Sequence, residues 1–218
     1  MCGRYSLHLP IHMITEEFDF SESMIPDFGE RFNIAPTQMV PVITNESPSE
    51  VQLFRWGLVP FWAKTIAIGS KMINARAETL LEKPAFKNLL KKRRCLILAD
   101  GFYEWKKEGK EKTPHLIEKK TGGLITFAGL WDIWKDAEGR EKKTFTIITT
   151  QPNSLMVPIH DRMPAIIEKE NRKKWLSESL SADDAVLMLG PAEAAEYQAR
   201  PVSNKLNKAA YDAADILE

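Results

Sequence analysis

Residues 93–107 read RRCLILADGFYEWKK. The apolar run CLILA at 95–99 is too short for an ordinary helix, and it lies between two arginines and Asp100-Gly101. A short apolar run bounded by turn residues predicts a buried strand. Asp-Gly between two such runs is a hairpin signal, and FYEWKK at 102–107 is the expected return strand. Working outward, MVPVIT (39–44) and EVQLFRW (50–56) flank the polar turn NESPS, and HLIEKK, LITFAGLW and TFTIITT continue the β pattern. Helical spacing is confined to short pieces. AETLLEKPAFKNLLKK at 77–92 predicts two short helices divided at Pro84, which cannot sit mid-helix. KENRKKWLSE at 169–178 predicts another, and 181–188 a further one with Ser181 as N-cap. Strands bunched in the middle without βαβ alternation predict an α+β chain. Its centre is expected to be a curved, mostly antiparallel sheet or open barrel with short flanking helices. No repeat or long linker divides the 218 residues, so a single domain over 1–218 is expected.

Hydrophobic residues make up 44% and charged residues 28%, which excludes disordered and coiled-coil classes. No run of 18 apolar residues exists, so no membrane span is expected, and MCGRYSLHLPIHM lacks the pattern of a secretory signal. Two cysteines are too few for a disulfide scaffold and fit a reducing, cytoplasmic setting. Thirty basic residues balance thirty acidic ones, which excludes a broadly basic nucleic-acid coat but not a local basic site. The charge is unevenly spread: residues 82–112 hold ten Lys or Arg against five acids. No metal or cofactor is expected. There is no CxxC or HxxxH, Pro10 interrupts the spacing of His8 and His12, and His115 lies in a lysine-rich strand.

Four segments carry chemistry. In Met1-Cys2-Gly3, removal of Met1 would expose Cys2 with an amine and a thiol on adjacent carbons. Both are partly deprotonated near neutrality, with reference pKa values of about 7.7–8.0 and 8.5. Such an aminothiol condenses with an aldehyde to an imine and closes a thiazolidine, which an internal Cys cannot do. In Asn74-Ala75-Arg76, the amide donates and accepts and the guanidinium suits phosphate; an Asn N-cap before a solvated arginine is the plainer alternative. Glu104 lies among Phe102, Tyr103 and Trp105. Desolvation there would raise its pKa and make it a proton shuttle, whereas strand alternation would simply put it on the solvated or hydrogen-bonded side. In PIHDRMP, two prolines bracket His160, Asp161 and Arg162, and a histidine satisfied by a carbonyl is the alternative to a catalytic one. Arg4, Arg76 and Arg162 would form a cationic pocket if these segments converge. Phe61 and Trp62 in WGLVPFW could stack on bases, while Trp56 reads as core.

Nine stretches in order, MCGRY, RFNIAPTQ, WGLVPFWA, KMINARAET, RRCLILADGFYEW, TFAGLWDIW, TIITTQPN, IHDRMP and RPVSN, resemble the SOS-response-associated peptidase family, or SRAP domain. The resemblance implies a protein that binds single-stranded DNA and crosslinks covalently to abasic sites through Cys2, after autocatalytic or aminopeptidase removal of Met1. Some members also act as DNA lyases. It implies that Asn74, Glu104 and His160 share the active site with Cys2. Arg76, Arg162 and Arg4 would contact the DNA backbone. Asn33 and Thr149 would line the cleft as polar positions, and Phe61, Trp62 and Trp105 would serve as DNA-contacting aromatics. The protein would then be cytoplasmic and nucleoid-associated when bound. A thiol peptidase acting on other proteins, a non-catalytic single-strand-binding module and a structural domain are the competing readings.

Overall fold

The computed structural model describes residues 2–218. Along the chain its strands are β1 (Arg4–Leu7), β2 (Arg31–Ile34), β3 (Met39–Thr44), β4 (Gln52–Trp56), β5 (Asn74–Arg76) and β6 (Arg94–Ala99). There follow β7 (Gly101–Glu108), β8 (Glu111–Lys119), β9 (Ile125–Lys135), β10 (Glu141–Thr150), β11 (Met163–Pro164) and β12 (Tyr197–Pro201). The α-helices are short: α1 (Ile11–Phe18), α2 (Pro84–Lys92), α3 (Arg172–Leu176) and α4 (Ala182–Leu187). Pro84 stands in the first turn of α2, where its missing N–H costs nothing, and Ser181 caps α4 by accepting the Asp184 N–H. Pro10 ends the segment before α1, so His8 lies outside that helix.

One sheet runs β12-β8-β7-β1-β2, antiparallel throughout. In the other, β10-β4-β3-β6-β9 returns to β10, so the expected curved sheet closes into a five-stranded barrel. One of its pairings, β10 with β4, is parallel. β10 is longer than its neighbours can cover. Beyond Phe145 the edge held by β4 passes to β5, and beyond Ile147 the edge held by β9 passes to β11. The far end of β10 thereby gathers Asn74, Thr149 and the segment that carries Arg162. Tyr5, Trp56, Phe102, Phe127 and Phe145 fill the core, with Tyr5 against Trp56 at 5.2 Å and edge-on to Phe127 at 5.7 Å. A smaller core of Tyr103, Leu116, Val202, Leu206 and Ile216 lies on the other face of the antiparallel sheet.

The hairpin expected at Asp100-Gly101 does not form. β6 pairs with β3 and β9, while β7 pairs with β1 and β8, so the chain changes sheet at this dipeptide. The Asp100 carboxylate is spent on β1: it accepts the Ser6 hydroxyl and the N–H groups of His8 and Leu9. Gly101 is needed for close approach, since a Cβ there would lie 2.6 Å from Leu116 Cδ1. Turn chemistry was read correctly as a break but assigned the wrong geometry, because a local signal cannot see which sheet the next strand joins.

Candidate active site

The register of β1 on β7 ends with Arg4 opposite Tyr103. One step further the same register brings Gly3 level with Glu104, and the adjoining Cys2 lies within reach of the Glu104 charge. Cys2 is wholly buried, its Sγ 4.0 Å from the Arg4 carbonyl oxygen. From β5, Asn74 Nδ2 donates to the Cys2 carbonyl at 2.8 Å. The other end of that amide, Oδ1, is buried with no partner among the described residues. Asn74 is thus a strand residue turned on the N-terminal segment, not a helix cap. Glu104 is 3% exposed, which removes the solvated-side alternative. His160 arrives on the loop after β10, with Nε2 3.8 Å from Glu104 Oε2.

The histidine's other nitrogen, Nδ1, lies 3.1 Å from the Arg162 backbone N–H, which it accepts when it carries no proton, and 3.0 Å from the exposed Asp161 carboxylate, to which it donates when it does. Burial pushes the Cys2 thiol well above its ordinary pKa, and the Glu104 carboxylate adds to the effect. Burial also raises Glu104 itself, against the pull of His160. A carboxyl that keeps its proton to higher pH than usual, beside an imidazole, is equipped to move protons near neutrality.

The cleft in front of this pair has a volume of about 690 Å³ and is lined by Glu104, Trp105, Lys107, Lys112, Ile159, His160 and Asn207. A larger hollow of about 870 Å³, around Phe18, Phe20, Arg172 and Leu176, contains none of these groups. Among the described residues no cluster of His, Cys, Asp and Glu could hold a metal ion, and no helix is long and apolar enough to cross a membrane.

The remaining sequence-marked residues are placed unequally. Arg4 is half-buried and donates to Asn33 Oδ1 and to the Leu206 carbonyl. Asn33 is fully buried, its Nδ2 shared among the carbonyls of Leu206, Lys208 and Tyr211, so both ends of its amide hold the fold together. Arg162 grips both oxygens of Glu78, at 2.7 and 2.9 Å, and donates to the carbonyl of the buried Thr149. Arg76 is exposed and has no ion pair among the described residues. Trp105 Nε1 donates to Asn207 at the cleft. Phe61 and Trp62 are 71% and 56% exposed, and Phe61 lines a separate hollow with Leu89, Arg93 and Asp132. Met1, whose loss the aminothiol requires, lies outside the described residues.

Sequence reasoning did not mark Glu78, Lys107, Lys112 or Asn207. Glu78 follows the marked NAR stretch, but its partner is 84 residues away, a separation no local pattern signals.

The family profile described as SOS response associated peptidase (SRAP) matches residues 1–209. The chain is similar to the abasic site processing protein YoqW of Bacillus subtilis (strain 168), 43% identical over all of this chain and 99% of that one. It is also similar to the abasic site processing protein HMCES of Xenopus tropicalis, 33% identical over 81% of this chain and 62% of that one. A solved protein from Bacteroides thetaiotaomicron superposes with a TM-score of 0.86 at 33% identity, covering 95% of each chain.

Proposed function

The chain belongs to the SOS response associated peptidase family, and from that premise we propose that it captures abasic sites in single-stranded DNA as a covalent thiazolidine on Cys2. The reading is carried by two contacts that share the N-terminal segment's surroundings: Asn74 holds the Cys2 carbonyl, and Glu104, whose carboxylate acts on the Cys2 thiol, faces His160 at the cleft.

In this mechanism, hydrolytic loss of Met1 frees the Cys2 amine. His160 passes a proton to the deoxyribose ring oxygen as the ring opens to its aldehyde. The amine attacks C1′, and Glu104 carries protons while the carbinolamine loses water, leaving a Schiff base. The thiol then adds to the imine carbon. A C–S bond forms, the thiol proton passes through Glu104 to the nitrogen, and the five-membered ring closes with no oxidant or further reactant. Asn74 holds the Cys2 carbonyl through Nδ2, and its Oδ1, without a partner among the described residues, would face the sugar. The imine acidifies C2′, so strand cleavage by β-elimination is expected when the thiol is absent.

A peptidase acting on other proteins would need a thiolate nucleophile. Turnover of an unrelated peptide would favour that reading. The test is a denaturing gel of the protein with single-stranded DNA carrying an abasic site. A shifted band stable without reductant is expected, lost in Cys2→Ala, together with an intact mass lacking Met1. A durable band from Cys2→Ala would refute the thiazolidine. Equal binding to intact and abasic DNA with no band would leave a non-catalytic single-strand binder.

A further inference from the structure

We propose that Lys107 and Lys112, which face each other across the β7–β8 hairpin, form a phosphodiester subsite that holds a DNA strand where it leaves the Glu104–His160 cleft. The proposal rests on the reading of the chain as a binder of single-stranded DNA.

The hairpin closes through Gly109 and Lys110. Gly109 has φ +62, the conformation a two-residue turn with glycine first requires. That turn sets Glu108 opposite Glu111 and Lys107 opposite Lys112. Like charges directly opposed on a sheet destabilise it, and here there are two such pairs in succession. Strand alternation sorts them by face: the glutamates on one side and the lysines on the other, which they share with Trp105. The glutamate face is partly neutralised within the hairpin, since Lys106 pairs with Glu108 at 2.7 Å. The lysine face is not: Lys107 and Lys112 are both exposed and neither has an ion pair among the described residues.

Both lysines line the same cleft as Glu104 and His160. By the same alternation Glu104 points to the other side of β7, so the cleft wraps this strand, with the nearly buried acid on its inner side and the two exposed cations and Trp105, held by Asn207, on its outer side. A single strand offers phosphates to the lysines and an abasic sugar to the inner groups, whereas an acidic peptide offers no aldehyde for the inner groups. Two of the ten basic residues of 82–112 thus stand as a cation pair at the mouth of the reaction site.

The experiment uses the full chain and a labelled single-stranded oligonucleotide bearing a tetrahydrofuran abasic analogue, which lacks the aldehyde and cannot crosslink. Fluorescence anisotropy gives log Kd against log salt from about 50 to 200 mM. Lys107→Gln and Lys112→Gln are each expected to flatten the slope by about 0.7, and the double variant by about 1.4. Lys110→Gln, the same charge change at the turn outside the cleft, should flatten it less than either. Melting temperatures at or above wild type are expected, because opposed like charges have been relieved. Slopes equal to wild type, or no flatter than that of Lys110→Gln, would overturn the subsite, as would a drop in melting temperature that assigns the pair to the fold. If wild type crosslinks a true abasic strand through Cys2 while these slopes stay unmoved, the lysine subsite alone fails. If wild type binds no strand, both readings fail together.

Discussion

The imidazole Nε2 of His160 lies 3.8 Å from the Oε2 of Glu104, with the histidine side chain 27% exposed and the glutamate 4%. The two come from elements 56 residues apart in sequence. One partner is open to the cleft and to solvent, and the other is desolvated, which raises the carboxyl's proton affinity toward the range useful for proton transfer.

Glu104→Gln should separate activity from stability. Burial holds the Glu104 carboxyl above the ordinary carboxylate range. A raised folded value means that its contribution to stability is present at low pH and is lost as pH rises through that value. The glutamine variant is therefore expected to melt no lower than wild type at pH 8. Crosslinking should slow by about 10²–10⁴-fold, and the acidic limb of its pH profile should disappear. Thermal melts and gel-based rates across pH test both; a retained acidic limb would assign it to another group.

The two arginines of the marked segments should behave differently toward salt. Arg76 is exposed and without an ion pair among the described residues, so Arg76→Gln is expected to flatten the salt slope of single-strand binding by about 0.7. Arg162 already holds Glu78, whose carboxyl it keeps below the ordinary range. A phosphate there would displace a carboxylate instead of counterions, so Arg162→Gln should flatten the slope less. Equal slopes for the two variants would contradict this.

His8 should give the stability curve a slope on the alkaline side. The Asp100 carboxylate, 3.0 Å from Nδ1, holds its imidazole above the ordinary histidine value, against partial burial. The resulting stabilisation is complete below about pH 6.5 and fades as pH rises through the folded value. Melting temperature should therefore fall between pH 6 and 8 in wild type and fall less in His8→Gln. Identical curves would show that the pair carries no net linkage.

Gly57→Ala should destabilise the loop that presents Phe61 and Trp62. Gly57 has φ +118, and a Cβ there would lie 2.6 Å from the Gly69 carbonyl oxygen. Backbone strain and overpacking together are expected to cost about 3 kcal/mol or more. Chemical denaturation measures it, and a loss below about 1 kcal/mol would mean that the loop yields freely.

Much of the local structure was legible because it rests on short-range rules. Pro84 opens α2, Ser181 caps α4, and the apolar runs at 39–44 and 95–99 are strands. The α+β class followed from these. Arg94 was read only as charge flanking a strand. It is fully buried, because its guanidinium donates to the carbonyls of Leu90, Lys91, Trp175 and Ser177 and so binds the ends of α2 and α3 to β6. Neither the need for nor the supply of those acceptors is visible within a window around residue 94.

By itself the sequence determined which elements form and which residue types were present for chemistry: a cysteine at position two, an amide, a carboxylate among aromatics and an imidazole between prolines. Tertiary structure decided which of them meet. It closed the barrel through β10, turned Asp100-Gly101 from a hairpin into a sheet crossing, set Glu104 in a dry wall opposite His160, and locked Asn33 and Arg162 onto neighbouring groups. Spacing along a chain dictates local dihedrals and faces, but desolvation and pairing are set by atoms distant in sequence, and those two effects fix the proton affinity of a carboxyl or a thiol.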